Sequence, residues 1–428
     1  MSGHHRQGID RRRRQFLARL GGAVGAAYLA PALARLGPAR ASDSFSGSGG
    51  GGGASVSFSA ASLPSRPRRT QPARPQRPAE ILVATRHPAE LDRLDALGFR
   101  VLDRELSALL GLTLARLALP AGMGLAAAIE ELRRHLPDAT VTENTFYQTS
   151  ELPCDDGNCA AFDLIGWRPG GACDAAPVIG MIDTGVNPAH EALSGQALEI
   201  VPVPLGERDA AGRVHGTAVA TLLLGRRDSR TPGLLPNARL VATEAFFADA
   251  AGEAADSFSL VRALEALAGR DVAVINMSFS GPANPLLDAA LQAVAAHGIG
   301  LVAAAGNGGP AAAPAYPAAH PAVVAVTAVG RGLSVYRQAA AGTHIALAAP
   351  GVQVWTAASV SGGRFRSGTS FATPFVTAAM AVAALEHPGA SPAELAEALA
   401  GAARDLGEPG RDPVFGWGLV QAEPLCGA

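Results

Sequence analysis

The sequence predicts an α/β protein with a mainly parallel sheet covered by helices on both faces, preceded by a smaller α+β unit of βαββαβ order. Three observations lead there. From about residue 150 onward, short strands alternate with helical runs, and the strands are apolar throughout. Continuous apolar strands are expected where both faces of a parallel sheet are buried. Residues 80–149 pass twice through strand and amphipathic helix. A hydrophobic content of 48% over 428 residues is enough to bury a sizeable core.

Taken in order, residues 1–41 open with Arg11–Arg14, followed by Gln15, Phe16, Leu17 and an uncharged Gly- and Ala-rich stretch from Leu20 to Ala34. That stretch is short for a membrane span and suits the apolar middle of an export signal. The run "RRQFLA" is similar to a twin-arginine signal, and Ala39–Ala41 offers small residues for cleavage. The bland alternative is a solvated arginine tail on a surface helix; a signal that stays attached would act as an anchor. Residues 42–79, rich in Gly, Ser, Pro and Arg, cannot form a packed core and read as a disordered linker.

Between residues 80 and 149 the expected elements are strand "EILVAT", helix "HPAELDRLDALG", strands "FRVLDRE" and "LTLARLALP", helix "GLAAAIEELRRHLP" and a last strand "ATVTENTFYQ". No polar cluster in them suggests chemistry. Residues 150–428 hold the strands "APVIGMID", "ARLVATEAF", "VAVINMSF", "IGLVAAAGN" and "AVVAVTAV". The helical runs among them are "GTAVATLLLG", "SFSLVRALEALAG" and "NPLLDAALQAVAAHG". The uncharged run Phe371–Leu385 predicts a helix buried on all sides, with Thr369 and Ser370 at its start and Pro374 within its first turn or so.

Charge narrows the function. Net charge is +11 over residues 1–79, −3 over 80–147 and −10 over 148–428, so the main body is a poor match for nucleic acid. All 35 basic residues are arginine. Without lysine there is no P-loop lysine, no lysine Schiff base and no Ser-Lys dyad. The "HE" pair His190–Glu191 lacks the second histidine of a zinc-protease helix. Cys154, Cys159, Cys173 and Cys426 fit one or two disulfides of undetermined pairing in an oxidising compartment, or buried thiols.

In such a sheet, working side chains collect at the carboxyl ends of strands. Asp183 ends "VIGMID", His215 opens an apolar helix, Asn307 follows "GIGLVAAAG", and Ser370 opens the C-terminal helix. Each alone has an ordinary explanation as a cap or turn residue. Together they supply what nucleophilic serine chemistry needs. A histidine takes the hydroxyl proton, an aspartate fixes the imidazole, and an amide helps hold the oxyanion.

The motifs "DTG" at Asp183–Gly185, "HGTAVA" at His215–Ala220, "AAAGN" ending at Asn307 and "GTSFATP" at Gly368–Pro374 resemble those of the subtilisin-like serine proteases, the subtilases. The resemblance covers about residues 150–428. It implies a subtilisin-like three-layer catalytic domain, with Ser370 as nucleophile, His215 as general base and acid, Asp183 as its partner and Asn307 as oxyanion donor. It further implies substrate binding along Ser278, Phe279, Ser280 and Gly281, with Ala304, Ala305 and Gly306 as the opposing wall. Ser367, Phe371 and Phe375 stand where the family commonly has Asn, Met and His. The unit at 80–149 is similar to subtilase propeptides, a ferredoxin-like chaperone that blocks the cleft with its tail, and implies self-cleavage between Thr145 and Pro153.

The expected protein is an exported serine endopeptidase, periplasmic or extracellular and monomeric. Its partners are a protein or peptide substrate and its own propeptide, with no nucleic acid and no membrane except through an uncleaved signal. No cofactor is required for the chemistry, and no oxygen-ligand run points to the calcium common in the family. The competing readings are a catalytically silent binding domain on the same fold and an acyl hydrolase using the same triad; no GxSxG elbow surrounds Ser370.

Overall fold

In the computed structural model of the protein, residues 78–149, 152–153, 161–167 and 175–422 are described. The expected signal, nearly all of the linker and the four cysteines lie outside them.

The smaller unit runs β1 (Glu80–Thr85), a 3₁₀ helix (Pro88–Leu97), β2 (Arg100–Ser107), β3 (Leu112–Ala118), α1 (Leu125–His135) and β4 (Thr140–Glu143). Its sheet is antiparallel in the order β2-β3-β1-β4. The first helix is 3₁₀ where an α-helix was expected. Leu91, Leu94 and Leu97 recur every third residue, the period at which 3₁₀ side chains stack, and all three pack into the unit's own core. The expected last strand divides after β4. Asn144 turns the chain, bonding Glu80 on one side and Asp256 on the other, and β5 (Phe146–Thr149) leaves for a different sheet.

The remainder follows as β6 (Leu152–Pro153), α2 (Ala161–Leu164), β7 (Val178–Asp183), β8 (Leu198–Pro202), β9 (Asp209–Ala210), α3 (Val214–Leu224) and β10 (Arg239–Glu244). Next come β11 (Phe247–Asp249), β12 (Gly252–Asp256), α4 (Ser257–Ala268), β13 (Val274–Met277), β14 (Phe279–Ser280) and α5 (Pro285–Ala296). The chain closes with β15 (Gly300–Ala304), β16 (Val324–Val329), β17 (Ile345–Pro350), β18 (Val354–Ala357), β19 (Gly363–Ser367), α6 (Thr369–Glu386) and α7 (Pro392–Gly401).

Seven strands form one parallel sheet in the order β17-β16-β15-β13-β7-β10-β8. Neighbouring residues of one strand serve opposite faces: Met181 packs with α3, α6 and α7, and Ile182 with α4 and α5. The result is three layers with helices on both sides of the sheet. A shorter sheet, β14-β5-β12-β11-β9, and the strands β18-β19-β6 stand apart from it. In both of these, strands from upstream of residue 154 pair with later ones.

Candidate active site

Asp183 is the last residue of β7 and His215 the second of α3, so the pair meets at the sheet's carboxyl edge. The close approach depends on Gly216. A Cβ there would lie 2.4 Å from the Thr184 carbonyl oxygen, so only glycine lets the start of α3 press onto the turn after β7. The Gly216 N–H is taken by Thr184 Oγ1 at 2.9 Å, which fixes the contact. His215 Nδ1 then stands 2.7 Å from Asp183 Oδ1, an oxygen that also accepts the Thr184 N–H. A carboxylate only accepts, so Nδ1 carries the proton and Nε2 is left with its lone pair. That Nε2 is buried and has no hydrogen-bond partner among the described residues.

Ser370 is the second residue of α6. The start of this helix differs from the expectation that Thr369 and Ser370 would cap it. Gly368 occupies the N-cap at φ 153°, and no side chain caps the helix. Pro374 also sits deeper than its first turn, inside the helix. Having no N–H, it leaves the Ser370 carbonyl without its usual partner four residues on. Ser278 Oγ donates to that carbonyl at 2.8 Å, and Ser370 Oγ donates to the Ser278 carbonyl at 2.8 Å. The serine hydroxyl is therefore held by Ser278 and not by His215. The imidazole packs against Phe371, the residue after Ser370, with ring centroids 5.5 Å apart.

Asn307 lies just beyond β15. Its Oδ1 accepts from the Thr369 N–H and hydroxyl at 3.2 and 3.0 Å, while its Nδ2 is buried with no partner among the described residues. The amide donor is thus left open beside the start of α6, where unpaired backbone N–H groups and the positive end of the helix dipole favour negative charge.

The expected substrate-binding residues form one wall of a cleft and its opposite side. Ser278 joins β13 to β14, Phe279 and Ser280 make β14, and Gly281 exchanges two 2.8 Å backbone hydrogen bonds with Tyr316. Ala304 ends β15, and Ala305 donates its N–H to Val326. Gly306 faces Ser280, whose Oγ would lie 3.4 Å from a Cβ placed on that glycine. Alongside the first wall runs the chain's own β5, between β14 and β12. Phe279 pairs with Thr149 and Ser280 with Gln148 on one side, and Ala255 pairs with Tyr147 and Asp256 with Phe146 on the other. Upstream of Ser370, β6 pairs with β19, Ser367 opposite Leu152 and Arg366 opposite Pro153.

Sequence reasoning missed β12 and the β19 strand as cleft walls. "GEAAD" carries no apolar alternation, and Arg366 looks like a surface residue until the fold buries it. Burial lowers the Arg366 guanidinium to a pKa of about 10, and it lies over the Phe371 ring at 5.9 Å. Among the described residues no three His, Cys, Asp or Glu side chains converge on one point.

A model of the subtilase family matches residues 174–418. Among curated relatives, the minor extracellular protease Epr of Bacillus subtilis is 29% identical over 245 residues, 57% of this chain and 37% of its own length. Subtilisin DY of Bacillus licheniformis is 30% identical over 251 residues, covering 57% of this chain and 89% of its own. The chain thus spans little more than a third of the first of these relatives and most of the second. Among solved structures, fervidolysin of Fervidobacterium pennivorans, a keratinolytic enzyme related to subtilisin, superposes with a TM-score of 0.67 at 20% identity. That likeness covers 80% of this chain and 60% of fervidolysin and concerns the fold.

Proposed function

The chain belongs to the subtilase family, and on that premise we propose that it is an exported serine endopeptidase that hydrolyses peptide bonds through an acyl-enzyme on Ser370. The observation that carries this reading is the buried Asp183–His215 pair at 2.7 Å, with Nε2 left open beside the helix that presents Ser370.

A bound substrate strand would take the Ser278 carbonyl for its own N–H, as an added strand does along a sheet edge. That frees the Ser370 hydroxyl to rotate towards His215. His215 Nε2 accepts the proton as Oγ attacks the scissile carbonyl, and Asp183 stabilises the imidazolium. The Ser370 N–H and Asn307 Nδ2 hold the tetrahedral oxyanion. The imidazolium then protonates the leaving amine, and water attacks the ester by the same route in reverse. No step calls on a cofactor or a metal.

The unit at 80–149 acts, in this reading, as a propeptide whose tail fills the cleft. Support comes from the pairing of β5 between β14 and β12 and of β6 with β19. The pairing of Thr149 with Phe279 and of Leu152 with Ser367 supports self-cleavage between them, inside the expected window from Thr145 to Pro153. The export assignment draws on the arginine-led N-terminal segment and on the extracellular relative. Substrate protein and propeptide are the partners proposed, for a monomer that binds no nucleic acid and touches a membrane only through an uncleaved signal.

Fluorophosphonate labelling tests the chemistry: the full chain labels after maturation and Ser370→Ala does not. A folded protein that never labels would instead be the silent binding domain. Intact mass of the secreted protein tests maturation. A mature N-terminus at residue 150, 151 or 152 supports the propeptide reading, and one near Ser42 overturns it.

A further inference from the structure

We infer that the larger unit carries a second binding site, a groove at the amino edge of the main sheet that takes a short apolar peptide with free amino and carboxyl ends. The inference stands apart from the peptidase reading above.

Val324 opens β16 and Ala346 is the second residue of β17, so the groove lies at the end of the parallel strands opposite to Asp183, His215 and Ser370. It has two lobes, of about 330 and about 640 Å³, each within the size range of small-ligand sites. Val324, Ala346, Ala396, Glu397 and Arg411 line both, which makes the lobes continuous. Leu347, Ala400 and Trp417 add to the smaller lobe, and Val323 and Met380 to the larger. The walls are thus chiefly apolar. Trp417 is 44% exposed, although tryptophan is highly buried on average, so the groove presents an uncovered ring.

The polar groups identify what the occupant carries. Arg411 donates through Nη2 to the Thr343 carbonyl at 2.9 Å and through Nε and Nη2 to the Ile345 carbonyl at 3.4 and 3.2 Å, which fixes the guanidinium where the lobes join. Among the described residues Arg411 forms no ion pair with Glu397, the other charge common to both lobes. A carboxylate and an ammonium on one ligand therefore each find a counter-charge there. His344, in the larger lobe, is an independent sign of an acceptor: both its ring nitrogens are buried and have no hydrogen-bond partner among the described residues. Burial, and then the Arg411 charge, lower its pKa, so at neutral pH the ring is uncharged and one nitrogen carries a proton that lacks an acceptor. A carboxylate held by Arg411 supplies it. His320 in the same lobe is already engaged, with Nδ1 accepting the Ala322 N–H at 3.1 Å and Nε2 at 3.6 Å from Asp288. Two apolar lobes joined at one pair of opposite charges suit a peptide of two apolar residues, whereas a free amino acid has a single side chain to bury.

The test titrates the full chain carrying Ser370→Ala with the dipeptide Leu-Phe, by calorimetry and by tryptophan fluorescence. Saturable binding of one peptide per chain is expected, weaker by about tenfold for the C-terminal amide and by about threefold for the N-acetyl form. Arg411→Gln should bring the first difference within about twofold, and Glu397→Gln should abolish the second. Each is a ratio taken within one protein and so independent of the fraction folded. Ala396→Phe, which fills the part common to both lobes, should abolish binding, and the same change in the chain that keeps Ser370 should leave fluorophosphonate labelling as it is in the parent. The inference is overturned if no peptide binds saturably, if free acid and amide bind within twofold of each other, if phenylalanine alone binds as tightly as the dipeptide, or if Ala396→Phe binds as the parent does. Each of those outcomes leaves the peptidase reading standing.

Discussion

Asp183 and Asp256 are both buried and both border the cleft, yet their oxygens are used differently. Asp183 takes the His215 ring and the Thr184 N–H on Oδ1 and leaves Oδ2 without a partner among the described residues. Asp256 is filled on both sides: Oδ1 accepts from Ser259, and Oδ2 accepts from Asn144 at 2.8 Å and Arg208 at 2.7 Å, with Arg116 at 3.9 Å. The first site draws only on the larger unit and keeps spare capacity, including the open His215 Nε2. The second is complete only while the smaller unit, through Asn144 and Arg116, is docked. A reacting site must accept a proton or charge that is absent at rest, whereas a docking site gains most when every lone pair is already matched.

The largest effect that would sharpen this contrast is Asp183→Asn. An amide can no longer hold the Nδ1–H tautomer or stabilise the imidazolium, so turnover of a peptide substrate should fall about 10⁴-fold. Thermal unfolding should hardly move. A loss of stability to match the loss of rate would mean that the pair is structural.

Next in size is Asp256→Ala, measured by urea unfolding of the full chain carrying Ser370→Ala so that the tail stays attached. Removing one member of a buried, bonded charge cluster should cost about 3–5 kcal/mol. Burial works against the charged carboxylate, but Arg208, the Ser259 N–H and Asn144 outweigh it and hold the pKa below the usual aspartate value. The sign follows from that direction. A depressed folded pKa gives stabilisation that is present above the unfolded value of about 3.9 and is lost as pH falls towards the folded one. The parent should therefore loosen in acid, and the variant should lack that limb. Unchanged acid behaviour in Asp256→Ala would show that other carboxylates govern docking.

Third is Asn307→Ala. Its Nδ2 has no partner among the described residues, so the loss should appear in kcat, by about 10²–10³, with little change in KM, while the Thr369 N–H and hydroxyl left without their acceptor cost about 1–3 kcal/mol of stability. A change confined to KM would move Asn307 from oxyanion to substrate binding.

The same contrast explains what the sequence disclosed. Asp183, His215, Asn307 and Ser370 stand at junctions where an apolar strand or helix begins or ends, so patterning places them at the working edge of the sheet and the four motifs single them out. The central strands β7, β10, β13, β15 and β16 are similarly visible as apolar runs. β8 carries Glu199 at the sheet edge, β17 is alanine-rich, and neither stands out from its surroundings. In sequence β5 is indistinguishable from an extension of β4, because nothing in "TENTFYQ" announces that Asn144 turns the chain into another sheet. The Asp256 cluster gathers residues 80, 116, 144, 208 and 256, and Tyr147 meets the Phe279 ring and the Pro282 carbonyl. Only tertiary pairing brings such distant polar or aromatic residues together, and no local period marks them. Phe371 departs from the family in sequence, but only the fold brings its ring against both His215 and Arg366.

The smallest effect separates the two arginines of the Asp256 cluster. Arg208 Nη1 is 2.7 Å from the carboxylate, whereas Arg116 Nη1 is 3.9 Å from it and 3.4 Å from Glu80. Arg116 therefore makes no short bond to Asp256 and stabilises docking chiefly by charge. Arg116→Met keeps most of the apolar stem and removes that charge, and Arg208 still neutralises Asp256. The expected loss is about 1 kcal/mol, well below that of Arg208→Met, which leaves the aspartate with Arg116 alone and gives up the contact of Arg208 with the Phe247 ring at 4.0 Å. Urea unfolding of both variants in the Ser370→Ala background reads the difference. If the two losses are equal, the short bond to Arg208 is not what completes the site, and docking depends on total charge around Asp256 instead of on matched hydrogen bonds.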